Sequence, residues 1–170
     1  LSQKGYRTAV GDEGGFAPQL KSNEEALEVL LTAIEKAGYK ASEQISLALD
    51  VASSEIFDAG SYKFKDSKIG NVSSAELVEH YIRLADRFPI VSIEDAMAED
   101  DWNGWQLLTS KLGNKVQLVG DDLFVTQEKR LALGVEKKAA NSILIKLNQV
   151  GSLLETLKTM KYASERSFRS

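Results

Sequence analysis

Five short apolar runs recur along the chain, at Arg7–Val10, Ile45–Leu49, Ile90–Ile93, Val116–Val119 and Ser142–Ile145. Each is short enough for a strand and rich in Val, Ile or Leu. None alternates apolar with polar positions, a pattern that predicts parallel strands buried on both faces.

Helical patterns fall between these runs. Ser22-Asn23-Glu24-Glu25 has the form of a capping box, in which a Ser hydroxyl and a Glu carboxylate satisfy free N–H groups. Leu27, Leu30, Leu31 and Ile34 then share one helical face, and Gly38 stands where a left-handed cap would end the helix. A second box, Ser73 to Glu76, opens a segment over 74–88 with Leu77, Tyr81, Leu84 and Phe88 on one face, closed by Pro89. Three more helices are predicted, over Asp101–Leu112, Gln127–Ala140 and Ser152–Ser164. Only Ser54–Asn71 breaks the alternation, where Tyr62 and Phe64 after Asp58-Ala59-Gly60 predict a small hairpin.

Strand–helix repetition implies an α/β fold with a parallel sheet, either doubly wound or a (β/α)8 barrel. A complete barrel needs eight strands and about 250 residues. Five units in 170 residues would make a partial TIM-type barrel, with an exposed apolar seam prone to aggregate. No linker, internal repeat or low-complexity segment divides the chain, so 1–170 reads as one partial domain.

Composition narrows the function classes. With 21 basic and 25 acidic residues and a net charge of −4, the surface does not invite nucleic acid or anionic membrane. The chain has no cysteine, which excludes disulfides and thiolate metal sites. No apolar run approaches the roughly 18 residues of a membrane-spanning helix. Leu1–Arg7 lacks the apolar core of a signal peptide, and the missing initial Met suggests that the natural start lies upstream. A cytoplasmic location is expected.

The chemistry lies where the apolar runs end. The first leads into Gly11-Asp12-Glu13-Gly14-Gly15, the second into Asp50, and the third into Glu94-Asp95. The fourth passes through Gly120 into Asp121-Asp122, and the fifth into Lys146-Leu147-Asn148-Gln149. In parallel α/β folds the carboxyl ends of strands form the working face. Asp50, Glu94 and Asp121 make a sensible hard-cation site, because oxygen donors from three strands suit Mg²⁺ and a divalent ion would relieve their repulsion. Taken singly, each can equally cap a helix or pair with a lysine.

Lys146 among these carboxylates can serve as a base, as a phosphate partner, or as a structural ion pair with Asp121 or Glu94. Glu13, flanked by glycines that allow close backbone approach, can exchange a proton or merely cap its loop. His80, the single histidine, reads as a surface or half-buried position of the 74–88 helix. Trp102 and Trp105 read as packing at a helix start, and Gly14-Gly15 is no dinucleotide fingerprint.

These residues lie in longer motifs. They are Gly11-Asp12-Glu13-Gly14-Gly15-Phe16-Ala17-Pro18; Leu47-Ala48-Leu49-Asp50 with Ala52-Ser53-Ser54-Glu55; Ser92-Ile93-Glu94-Asp95; Gly120-Asp121-Asp122-Leu123-Phe124-Val125-Thr126; and Leu144-Ile145-Lys146-Leu147-Asn148-Gln149-Val150-Gly151. Their identity and order closely resemble the enolase family over about 5–158. The resemblance implies Mg²⁺-dependent dehydration of 2-phosphoglycerate to phosphoenolpyruvate in glycolysis. It implies Lys146 as general base, Glu13 as general acid, and Asp50, Glu94 and Asp121 as metal ligands. Glu94, Asp121 and Lys146 would also face the substrate, and the complete enzyme would be a homodimer.

Several family features are expected to lie outside this chain. They are an amino-terminal domain with a loop that closes over substrate, the first barrel strands, and a Ser-His-Arg-Ser segment. Residues 160–170 read as a divergent or frameshifted tail, in which Ser167-Phe168-Arg169-Ser170 only echoes that segment. A non-catalytic remnant or interaction module, or a relative acting on another carboxylate, stands beside the enolase reading.

Overall fold

The computed structural model describes residues 1–64 and 69–170, so 65–68 of the predicted Ser54–Asn71 excursion lie outside the described residues. The chain forms two compact units, Leu1–Ile45 and Ser46–Ser170.

In the first unit, helix α1 runs over Asn23–Lys36. The Ser22 hydroxyl accepts the Glu25 N–H at 3.2 Å. The Glu25 carboxylate turns instead to the Lys21 N–H and the Tyr6 hydroxyl, so only half of the predicted capping box forms. Gly38, at φ 85°, ends the helix as anticipated. Arg7–Val10 is not a strand. Its residues are exposed, and it folds back locally, with a lone bridge between Val10 and Phe16 and the Ala17 N–H donating to Ala9 O. Exposed as it is, the segment can leave its remaining backbone groups to water, so it needs no sheet partner.

The second unit carries the sheet. Strands β1 (Leu47–Asp50), β5 (Ile90–Glu94), β6 (Gln117–Gly120) and β7 (Ser142–Ile143) lie side by side in that order, all parallel. Between β1 and β5 a small antiparallel sheet is formed by β2 (Phe57–Asp58), β3 (Ser61–Lys63) and β4 (Asn71–Val72). The predicted hairpin is thus a three-stranded sheet. Tyr62 anchors it: fully buried, its hydroxyl donates to Asp101 at 2.7 Å and accepts the Ala98 N–H at 3.0 Å.

Helices α2 (Ser74–Arg87), α3 (Trp102–Leu112), α4 (Glu128–Lys137) and α6 (Leu153–Ser164) follow the predicted segments to within a few residues. Ser73 and Glu76 complete their capping box. Helix α4 stops short of Ala140 because Lys138 turns left-handed, at φ 56°. The core joins Leu77, Tyr81 and Leu84 of α2 and Leu108 of α3 to Ile93 and Leu118 of the sheet. His80 is buried too, facing Phe64 and Tyr81, rather than at or near the surface. Trp105 is fully buried, its indole N–H donating to Ala98 O at 3.1 Å.

Burial on both faces holds for β6 and β7 but not for the other two strands. In β1 burial alternates, and Val91 of β5 is half exposed. Leu153, Leu154 and Leu157 of α6 also stand exposed. The parallel sheet with helices between its strands is a partial barrel, with four sheet strands among the described residues, one fewer than the five apolar runs predict.

Candidate functional site

The parallel register aligns the carboxyl ends of the strands. Asp50 lies opposite Glu94 on adjacent strands, and Glu94 lies opposite Val119, two residues before Asp121. The Val51 N–H donates to Glu94 O at 3.1 Å, and the Asp95 N–H to Val119 O at 3.0 Å, so the ladder continues to the strand ends. Each of these strands then turns through a left-handed non-glycine residue: Ala52 at φ 47°, Asp95 at 40°, and Val125 and Thr126 at 43° and 57°. Such conformations persist only where the surroundings enforce them, and they gather at functional loops.

Glu94 sits at the centre of the acidic group. Burial and the facing carboxylates of Asp50, Asp121 and Asp95 raise its pKa to about 7, against the opposing pull of Lys146. Asp50 is exposed, with one carboxylate oxygen accepting the Ala52 N–H at 3.3 Å. Asp121 is buried and holds two partners. One oxygen takes the Lys146 ammonium and the other takes the Gln149 amide at 2.6 Å. The hydrogen bond to Asp121 also raises the Lys146 pKa.

Among the described residues, Asp95, Asp121 and Asp122 each bring a carboxylate oxygen within 4.8 Å of the others. The Asp95 oxygens are already engaged, accepting the Asp121 N–H at 3.0 Å and the Asp122 N–H at 2.9 Å. Asp95 therefore ties the end of β5 to the turn after β6. Burial raises its pKa to about 6 despite those two donors. Asp50 and Glu94 do not share this tight trio, but they crowd negative charge on the same rim. An all-oxygen donor set with one carboxylate held near neutrality is chemically suited to a hard divalent cation.

Lys146 comes from the turn after β7 and caps the short helix α5 (Leu147–Val150), an element the apolar pattern does not signal. Its own N–H donates to the Thr126 hydroxyl at 2.9 Å. Glu13 lies exposed on the Gly11–Gly15 loop of the first unit. The strand-end pattern takes in Asp95 and Gln149, and a motif takes in Thr126, but the sequence assigns none of them a role. Asp95 stands directly beside Glu94, which was the available signal, whereas nothing in the residue types of Thr126 and Gln149 distinguishes them from loop polar groups.

A family model described as the enolase C-terminal TIM barrel domain matches residues 1–170, taking in the 160–170 tail. The enolase of Sulfurimonas denitrificans is 56% identical over 169 residues, covering 99% of this chain. The chain spans 40% of that protein's length. The match over its full extent, with acidic strand ends beside a lysine at the rim of a parallel sheet, establishes that this chain belongs to the enolase carboxy-terminal TIM barrel family.

Proposed function

We propose that the chain carries the acid, base and metal-ligand groups of phosphopyruvate hydratase, which removes water from 2-phospho-D-glycerate to give phosphoenolpyruvate. The observation that supports this most is the meeting of Lys146, Asp121 and Glu94 at the ends of neighbouring parallel strands. Lys146 takes the proton alpha to the substrate carboxylate. Glu13 gives a proton to the hydroxyl on the next carbon, so that the C–O bond breaks, water leaves and the double bond forms. Asp50, Glu94 and Asp121 would hold Mg²⁺, which would supply positive charge against the negative charge that builds on the substrate carboxylate.

Lys146 is paired to Asp121, and a base must first give up its proton. On this reading the complete enzyme is a cytoplasmic homodimer with a closing loop and phosphate-binding groups. Among the described residues of this chain, no helix is long and apolar enough to cross a membrane.

The test is phosphoenolpyruvate formation from 2-phosphoglycerate by the purified chain with Mg²⁺. K146A and E13Q should each lower turnover by about a thousandfold. Turnover unaffected by K146A would overturn the assignment. The 40% span favours a second reading, a non-catalytic remnant or interaction module, and a folded chain that binds Mg²⁺ but forms no product would support it.

A further inference from the structure

Thr126 and Gln149 close a ring around the two groups at the centre of the site. The Thr126 hydroxyl accepts the Lys146 N–H at 2.9 Å and donates to the Gln149 side-chain oxygen at 2.6 Å. The Gln149 amide nitrogen donates to Asp121 Oδ1 at 2.6 Å, and Asp121 Oδ2 accepts the Lys146 ammonium. Every donor and acceptor role is fixed. An ionised carboxylate only accepts, so the amide must present its NH₂ to Asp121 and its oxygen to Thr126. The hydroxyl, already accepting from Lys146, spends its one proton on Gln149.

Thr126 is fully buried and left-handed, a backbone conformation uncommon for a β-branched residue. The Thr159 hydroxyl of α6 donates to its carbonyl at 2.9 Å and holds it there. Valine in place of Thr126 and leucine in place of Gln149 keep similar volumes and lack the ring's polar atoms.

We infer that Thr126 and Gln149 are positioning residues, which together fix the Lys146 amine against one oxygen of Asp121 and leave the face of Asp121 toward Glu94 in a set orientation. Gln149 orients the carboxylate directly, and Thr126 acts through Gln149 and through the Lys146 backbone. This rests on the roles proposed above for Lys146 and Asp121.

The experiment is acylation of lysines in the intact, metal-free chain, with rates read residue by residue by mass spectrometry and Lys111 as internal reference. An amine held against Asp121 reacts slowly. In T126V and Q149L, Lys146 should react about fivefold faster than in the wild type, the share of one ordinary hydrogen bond. T126S, which restores the hydroxyl, should return the wild-type rate. An unchanged Lys146 rate in Q149L, or equal acceleration in T126S and T126V, would overturn the inference. Thermal unfolding of each variant identifies one that fails to fold; should T126V do so, the half-buried Q149L decides the outcome. Calorimetric titration of the wild type with Mg²⁺ tests the functional reading separately. Failure to bind would sink that reading while the acylation rates still decide the positioning.

Discussion

The carboxylate of Asp95 grips the backbone of Asp121, accepting its N–H at 3.0 Å, and takes the next N–H, of Asp122, at 2.9 Å. The Asp95 carbonyl meanwhile accepts the Ser53 N–H, so this one residue ties together the ends of three strands. D95A would leave two N–H groups without an acceptor beside a buried carboxylate. It should destabilise the chain by about 3 kcal/mol. D95N keeps one acceptor oxygen and should fall between D95A and the wild type. Urea unfolding measures both, and a wild-type midpoint for D95A would show that the grip contributes nothing.

Glu94 gives the metal-free chain a defined pH dependence. Its pKa rises from 4.5 to about 7 in the folded state, mainly through burial and then through Asp50 and Asp121. A carboxylate with a raised folded pKa keeps its proton longer in the native state. Its contribution to stability is therefore greatest below about 4.5 and is lost as pH rises through about 7. E94Q should flatten that fall by about 1 kcal/mol once solvent screening is allowed for. Thermal melts at pH 5 and pH 8 compare the two proteins; equal slopes would remove Glu94 from the account. Mg²⁺ binding at pH 7 should also release a proton, visible as a calorimetric enthalpy that changes with the buffer.

Tyr62 should matter more than its place in a small excursion suggests. Its hydroxyl joins the Ala98 N–H to Asp101, whose other oxygen caps α3 through the Gly104 N–H at 2.9 Å. Burial raises its pKa well above that of free tyrosine, so it remains a neutral donor. Y62F should cost about 2 kcal/mol by stranding the Ala98 N–H. A loss under a few tenths in chemical unfolding would mean that water replaces the hydroxyl.

Phe124 lies between two glycines. A methyl added at Gly134 would meet its ring at 2.5 Å, and one added at Gly120 at 2.6 Å. G134A should therefore destabilise by about 2 kcal/mol through overpacking. Combined with F124L, it should cost less than the sum of the two single changes, because the smaller side chain makes room. Strict additivity in a double-mutant cycle would contradict the contact.

The groups legible in the sequence were those whose position follows from local pattern. Asp50, Glu94, Asp121 and Lys146 each follow an apolar run, and Ser73 with Glu76 marks the start of α2 from its own spacing. Arg7–Val10 misled because a four-residue run, apolar only at Ala9 and Val10, cannot declare whether a neighbouring strand will receive it. Asp95 and Gln149 were missed for a related reason. Their partners lie 26 and 28 residues away, and a carboxylate that accepts backbone N–H groups looks the same in sequence as one that binds solvent. Thr126 is further disguised, since a buried threonine in a left-handed turn is where propensity alone would place glycine or asparagine.

The spatial order β1-β5-β6-β7 repeats the order of these strands along the chain. No main-sheet strand must wait for a later one to be inserted beside it, so the sheet can grow at a single edge during synthesis. Asp50 emerges first, then Glu94, then Asp121, with Lys146 last. Each meets a neighbour already in place, and contacts of modest sequence separation form quickly. Assembly in this direction brings the ammonium to the rim only after the carboxylates that receive it have been laid down.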